Sequence, residues 1–296
     1  MFEDAIESAA AYTRPIHTIS RNYRSPLVQR TAATIFFVNP DGWALTCRHV
    51  AESLIGTGKV TERRQAFLNA LAQPDVTRRG EAGRQEVEAS FSFTPATVYE
   101  LHHKLMDAIE GELSLDYRLH PTLDIALFHF KGSRRLLVNR FPVFAPDQVP
   151  LRPGKYICRL GFPFAEFENF EYDTDADAIR WTNTGRNTTP RFPIDGMVTR
   201  LVVDKAGQVF AFETSTPGLR GQSGGPAFDA NGVVWGMQAA TSHLDLDFDV
   251  SLDVIRDGAK KRISESAILH VGHCIHADAL KAFMREHGVE FQIAPA

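Results

Sequence analysis

Three cysteines in 296 residues are few, and Cys47, Cys158 and Cys274 cannot all pair with one another within the chain. A complete disulfide framework is thereby excluded, and a reducing cytoplasm is the expected setting. No stretch approaches the roughly 18 apolar residues that span a bilayer, so no membrane partner is expected. The opening residues, Met1-Phe2-Glu3-Asp4-Ala5-Ile6-Glu7, are acidic and lack the apolar core of a signal peptide. An excess of one charge is missing too. With 36 acidic and 32 basic residues the net charge is −4, which gives no reason to expect nucleic acid as a partner. Internal repeats and low-complexity tracts are absent. The 44% apolar and 23% charged residues that remain describe an ordinary globular protein with length enough for two packed halves.

The most informative stretch is Gly221-Gln222-Ser223-Gly224-Gly225-Pro226. A serine hydroxyl is a weak nucleophile until a base takes its proton and donors stabilise the resulting oxyanion. Glycines beside it allow a tight turn that brings backbone N–H groups up to a substrate carbonyl. Upstream, Ala33-Thr34-Ile35-Phe36-Phe37-Val38 reads as a buried strand, Asn39-Pro40-Asp41-Gly42 as a turn, and Trp43-Ala44-Leu45-Thr46 as its return. That hairpin delivers His49 at the start of a helical turn over 50–54, a suitable place for a general base. Asp124 heads the apolar strand Ile125-Ala126-Leu127-Phe128, where a carboxylate needs a partner such as an imidazole N–H.

Thr46-Cys47-Arg48-His49, Leu123-Asp124-Ile125-Ala126-Leu127 and the block around Ser223 resemble the three signatures of the chymotrypsin/trypsin-like serine proteases. Leu151-Arg152-Pro153-Gly154-Lys155 with Leu160-Gly161-Phe162-Pro163, and Asn231 to Met237, are similar to segments of bacterial Deg-type (high-temperature-requirement) protease domains. The resemblance covers about residues 30 to 288. It implies a mostly β fold of two antiparallel six-stranded barrels, with a helical insertion and a C-terminal helix. The expected boundaries are an N-terminal helix and arm over 1–29, a first barrel over 30–140 with an insertion at 52–120, a second barrel over 141–276, and a helix over 277–288. No peptide-binding PDZ module is expected after that helix.

The same resemblance implies a serine endopeptidase acting on protein or peptide substrates. Ser223 would be the nucleophile, His49 the base, Asp124 the orienting acid, and the amides of Gly221 and Ser223 the oxyanion hole. Pro217, Gly218, Ala239, Ala240 and Thr241 would shape the specificity pocket. With no acid at Pro217 or Gly218, an uncharged small or apolar residue is expected on the acyl side of the cut. Gln222 replaces the aspartate that pairs with a newly cut N-terminus in activated digestive proteases, so activation by clipping is not expected. Ala239 replaces a serine that many relatives use to bond the catalytic acid, so Asp124 must find other donors.

His49 and Asp124 lie 75 residues apart, more than a compact barrel needs. Within that excess, 61–72 has helical spacing, 78–88 reads as a solvated loop, and 99–109 fits strand or helix. The insertion is either surface decoration or a lid, and restraint by it or by a regulatory protein partner would suit a protease inside a cell. Leu244 to Val250 alternates apolar and acidic residues and reads as a solvated strand. Same-face acids about 7 Å apart are too distant to share a cation. His273-Cys274-x-His276 would put His273 and the Cys274 thiol on opposite faces, so no metal and no cofactor are expected. Two alternatives stay open: a protease-fold scaffold with little catalysis, and an esterase using the same residues.

Overall fold

Apolar strand formers build the first sheet, and turn residues set how it folds back. The computed structural model describes residues 1–295 except 112–113, 133, 148 and 257–258. Strand β1 (Thr13–Asn22) precedes β2 (Val28–Phe37), which turns at Asn39–Gly42, with Gly42 at φ +90°, into β3 (Trp43–Thr46). With β4 (Val98–Leu105), β6 (Ser114–Leu119) and β7 (Ala126–Lys131) these form an antiparallel sheet in the order β4-β1-β2-β3-β7-β6. Strands β5 (Ile109–Gly111) and β8 (Arg134–Leu136) make a separate ribbon. Among the described residues the edge strands β4 and β6 do not pair with each other.

The second half holds β9 (Val143–Phe144), β10 (Tyr156–Gly161), β13 (Phe192–Val203) and β14 (Val209–Thr214). Then come β15 (Pro226–Phe228), β16 (Val233–Arg256), β17 (Ala259–His276) and β18 (Gln292–Ile293). Their order is β15-β10-β13-β14-β17-β16-β9-β18, and an additional β15–β16 pairing closes the first six into a ring. A ribbon of β11 (Phe170–Asp173) and β12 (Ala178–Trp181) packs against β1. One core joins the halves, with Phe36, Leu45 and Phe128 in the same cluster as Phe144, Phe212, Phe228 and Met237. Helix α5 (Ala277–Glu286) covers the second half as expected, burying Leu280, Phe283 and Met284 before Gly288 at φ +66°.

Three expectations need correction. The N-terminal segment is α1 (Glu3–Tyr12) followed by β1, which is no loose arm but lies inside the sheet between β2 and β4. It is drawn in because both its faces are apolar: Ile16 enters the main core, while Ile19 meets Phe167 and Ile179. The insertion is shorter than 52–120, because β4 and β6 inside that range are sheet strands, which also settles 98–105 as strand. Its helical part is longer and more regular than expected. The turn after His49 continues as α2 (Arg48–Leu71), followed by α3 (Pro74–Arg79) and α4 (Glu81–Ser90) where a solvated loop was expected. Phe67 and Val87 explain this, since they fold the helices back onto Tyr23, Phe93 and Tyr99 in a second small cluster.

The alternating segment 244–250 is strand, part of a long β16–β17 hairpin. A bulge between Asp245 and Asp249, with Asp247 at φ +57°, breaks its strict alternation.

Candidate active site

The end of β3 and the first turn of α2 set the position of His49, because Cys47 is an extended N-cap from which the helix departs. Asp124 sits at the entry to β7, and β7 is hydrogen-bonded to β3 in the register Thr46↔Ala126. Two paired strands thus bring together residues far apart in the chain. His49 Nδ1 lies 2.8 Å from Asp124 Oδ2, and the His49 backbone N–H donates to Asp124 Oδ1 at 3.0 Å. That second bond supplies the donor Asp124 needs where Ala239 offers no hydroxyl.

The electrostatics follow from this contact. The hydrogen bond to Asp124 raises the His49 pKa above 6.5, against the lowering effect of burial. Burial pushes the Asp124 carboxyl up, but the bonds from the His49 ring and amide outweigh it and hold the carboxyl below its ordinary value. An imidazole held this way accepts a proton readily and keeps its orientation while it does so.

Ser223 stands across one cavity of about 220 Å³ that His49 and Gly221 also line. Its loop is pinned by Thr34, whose hydroxyl donates to Gly221 O at 2.7 Å and whose amide donates to Ser223 O at 3.0 Å. Among the described residues, no protein acceptor is bonded to the Gly221 or Ser223 amide. The loop's glycines are obligatory: Gly221 has φ +103° and Gly224 φ +86°, and a Cβ on Gly224 would lie 2.1 Å from Thr34 O. Gln222 is fully buried, with its Oε1 accepting from Leu219 N at 2.9 Å and its Nε2 donating to Phe192 O at 3.0 Å. The side chain itself therefore holds the loop without recruiting a chain terminus. The Ser223 hydroxyl donates to Ala239 O at 3.2 Å and makes no bond to His49.

Sequence reasoning missed part of the cleft wall. His103 of β4 lines the cavity together with Ser53 and Leu54 of α2. Its Nδ1 lies 2.7 Å from Thr18 Oγ1 and its Nε2 lies 3.2 Å from Ser53 O. Burial lowers its pKa, so the ring is neutral and fully engaged. No local signal separates His103 from His102; only pairing with β1 does.

Of the expected pocket residues, Gly218, Ala240 and Thr241 lie close together, but the ground between them is occupied. Thr241 Oγ1 donates across to Gly218 O at 2.7 Å, and Gln238 Nε2 donates to Ala240 O at 2.6 Å. A Cβ on Gly218 would lie 2.2 Å from Gln238 Nε2, so the Gln238 side chain fills this space. Behind it lies the fully buried Arg159, donating to Gln238 Oε1 at 2.9 Å and to Thr216 Oγ1 at 2.5 Å. Sequence reasoning weighed only the absence of an acid at Pro217 and Gly218 and did not consider this guanidinium. A signal was available: Arg159 interrupts the apolar strand Tyr156-Ile157-Cys158-Arg159-Leu160.

Cys47, His49 and Asp124 bring metal-capable atoms within 4.8 Å of one another. The Cys47 thiol is a poor ligand, because burial, assisted by Asp124, pushes its pKa well up and it donates to Gln238 O at 3.4 Å. His273, Cys274 and His276 do not converge. Cys274 bonds Gln238 Oε1 at 3.5 Å, and His276 caps α5 by accepting from Asp278 N at 3.1 Å.

Fold and family together define the class: this is a trypsin-like peptidase domain. The chain belongs to the trypsin-like peptidase domain family, whose model matches residues 33–237. No curated protein matches it. Among solved structures it is similar to an HtrA-type protease, AlgW with tripeptide, at 14% identity and TM-score 0.47, covering 98% of this chain and 65% of that one. It is likewise similar to the Rv3671c protease from M. tuberculosis in its active form, at 14% identity and TM-score 0.47, covering 98% of this chain and 88% of that one.

Proposed function

We propose that the chain cleaves peptide bonds of protein substrates through an acyl-enzyme formed on Ser223. The observation that carries this reading is that His49, held by Asp124 at 2.8 Å, lines the same cavity as Gly221 and Ser223, whose amides have no protein acceptor among the described residues. In this mechanism the Ser223 oxygen attacks the scissile carbonyl while its proton passes to His49 Nε2. Asp124 keeps the proton on Nδ1 and stabilises the cation that forms. The two amides then receive the oxyanion, and His49 returns the proton to the leaving amine. Water repeats the sequence to release the acyl group.

The direction of the Ser223 hydroxyl supports a regulated enzyme. Its bond to Ala239 O must be exchanged for one to the imidazole before attack, a rotation about one side-chain torsion. Val50, Ser53 and Leu54 place the insertion's first helix in the cleft wall, so a regulatory protein acting on α2 would reach the site directly. The cytoplasmic setting rests on the three buried free thiols. No described helix is long and apolar enough to cross a membrane. Lack of an acid at Pro217 and Gly218 leaves a basic acyl-side residue unpartnered, and the choice between neutral and acidic residues turns on Arg159.

The test is labelling with a fluorophosphonate probe, followed by digestion of a diverse peptide library. Wild type is expected to label and to cleave peptides, and Ser223→Ala to do neither while remaining folded. Equal labelling of the two proteins removes Ser223 as the nucleophile. Labelling with ester turnover alone favours the esterase reading, and absence of both favours the scaffold.

A further inference from the structure

No described carboxylate forms an ion pair with Arg159. The residue is fully buried, and its Nε has no partner at all. Its two bonds go to neutral oxygens, those of Gln238 and Thr216. The neighbouring thiols cannot neutralise it, since burial pushes both Cys158 and Cys274 up to about 12 and keeps them protonated. Asp195 acts on it only through space, from an exposed position opposite Cys158. A buried cation without a partner is costly, so its retention here calls for a partner that arrives from outside.

Its location says where that partner would come from. Arg159 lies against Gly272, where a Cβ would sit 2.0 Å from its Nη1. Gly272 is the cross-strand partner of Thr241, which walls the specificity pocket. The guanidinium also fixes the Gln238 amide. Because Oε1 accepts from Arg159, the Nε2 donors point to the side of Ala240 and Gly218. Charge and amide thus form a graded set of donors beside Gly218 and Thr241, the expected pocket wall.

We propose that this set selects an acidic residue, Asp or Glu, on the acyl side of the scissile bond. The carboxylate takes a hydrogen bond from the second N–H of Gln238 Nε2, and the Arg159 charge stabilises it from behind. The proposal rests on the pocket assignment made under Proposed function, and it replaces the neutral preference read from the sequence.

Binding tests it independently of turnover. Peptides differing only in an acyl-side Glu, Asp, Ala or Lys are titrated onto the full-length Ser223→Ala protein by fluorescence anisotropy. Acidic peptides are expected to bind roughly 10- to 150-fold more tightly than Ala, the range of one charge-assisted hydrogen bond, and Lys the most weakly. Adding Gln238→Glu, which supplies Arg159 with a carboxylate, is expected to erase the acidic preference. Arg159→Met, which removes the charge at similar volume, should do the same, with circular dichroism checking the fold of each. Equal or tighter binding of the Ala peptide overturns the proposal, as does an acidic preference that survives both changes. Failure of wild type to label with fluorophosphonate is a separate result, and it strikes the catalytic reading instead.

Discussion

Replacing Gln222 by Met tests how the nucleophile loop is held. The change keeps the volume of the buried side chain but deletes both of its bonds, to Leu219 N at 2.9 Å and to Phe192 O at 3.0 Å. Phe192 is 37% exposed, so its carbonyl regains water at little cost. The Leu219 amide is part-buried, and stranding it costs about 1–3 kcal/mol. The fold survives that loss, but the amides of Gly221 and Ser223 flank the altered residue and lose their fixed direction. Removing one oxyanion donor outright costs about 10²–10³ in rate, so a loosened pair should slow fluorophosphonate labelling by at least about tenfold. Urea unfolding measures the first quantity and labelling kinetics the second. A peptide extension on Met1, which is 92% exposed, should leave labelling unaltered, because no terminus takes part. An unchanged labelling rate in Gln222→Met, or a large response to the extension, refutes the reasoning.

The His49–Asp124 pair and the insertion's cluster give three further outcomes. The bond to Asp124 raises the His49 pKa, so the neutral working form is lost as pH falls through a value above 6.5, and the acid limb of kcat/KM lies there. Asp124→Asn should move that limb down and lower kcat by roughly 10⁴-fold; a limb that stays in place would separate Asp124 from His49. Stability has the matching signs. The depressed Asp124 contributes above its ordinary 3.8 and is lost as pH falls through its lower folded value. The raised His49 contributes below 6.5 and is lost as pH rises through its higher folded value. Phe67→Ala empties the centre of the insertion's cluster and should cost about 3–5 kcal/mol in urea unfolding. A loss under about 1 kcal/mol would show that the helices are not held by that ring.

Local patterns carried the reading well where one face of an element decides its fate. Helix α5 was legible from Leu280, Phe283 and Met284 because its apolar stripe and the Gly288 stop lie within a dozen residues. The hairpin ahead of His49 was legible from its turn residues. The helices over 74–90 were hidden because their surface is charged, and Val87 beside Phe67, with Val76 packed on the same cluster, organises them. Strand β1 was hidden by its polar residues: His17 and Arg21 are buried, one stacked 4.1 Å from Phe167 and the other paired with Glu100 at 2.6 Å. Buried polar residues look like surface until their partners are known.

Sequence alone gave the mostly β class, through motifs that resemble a known family, and the C-terminal helix, whose apolar stripe acts over a few positions. Tertiary structure alone decided what surrounds the residues of the cleft. Thr34 holds the nucleophile loop across 187 residues, and Arg159 reaches Gln238 across 79. The first bond exists only once the two halves have packed and the second only once β10 and β16 share a sheet, because the free energy that aligns them comes from burying the core. That Arg159 is buried against Gln238 and Thr216 is therefore evident only in the folded protein.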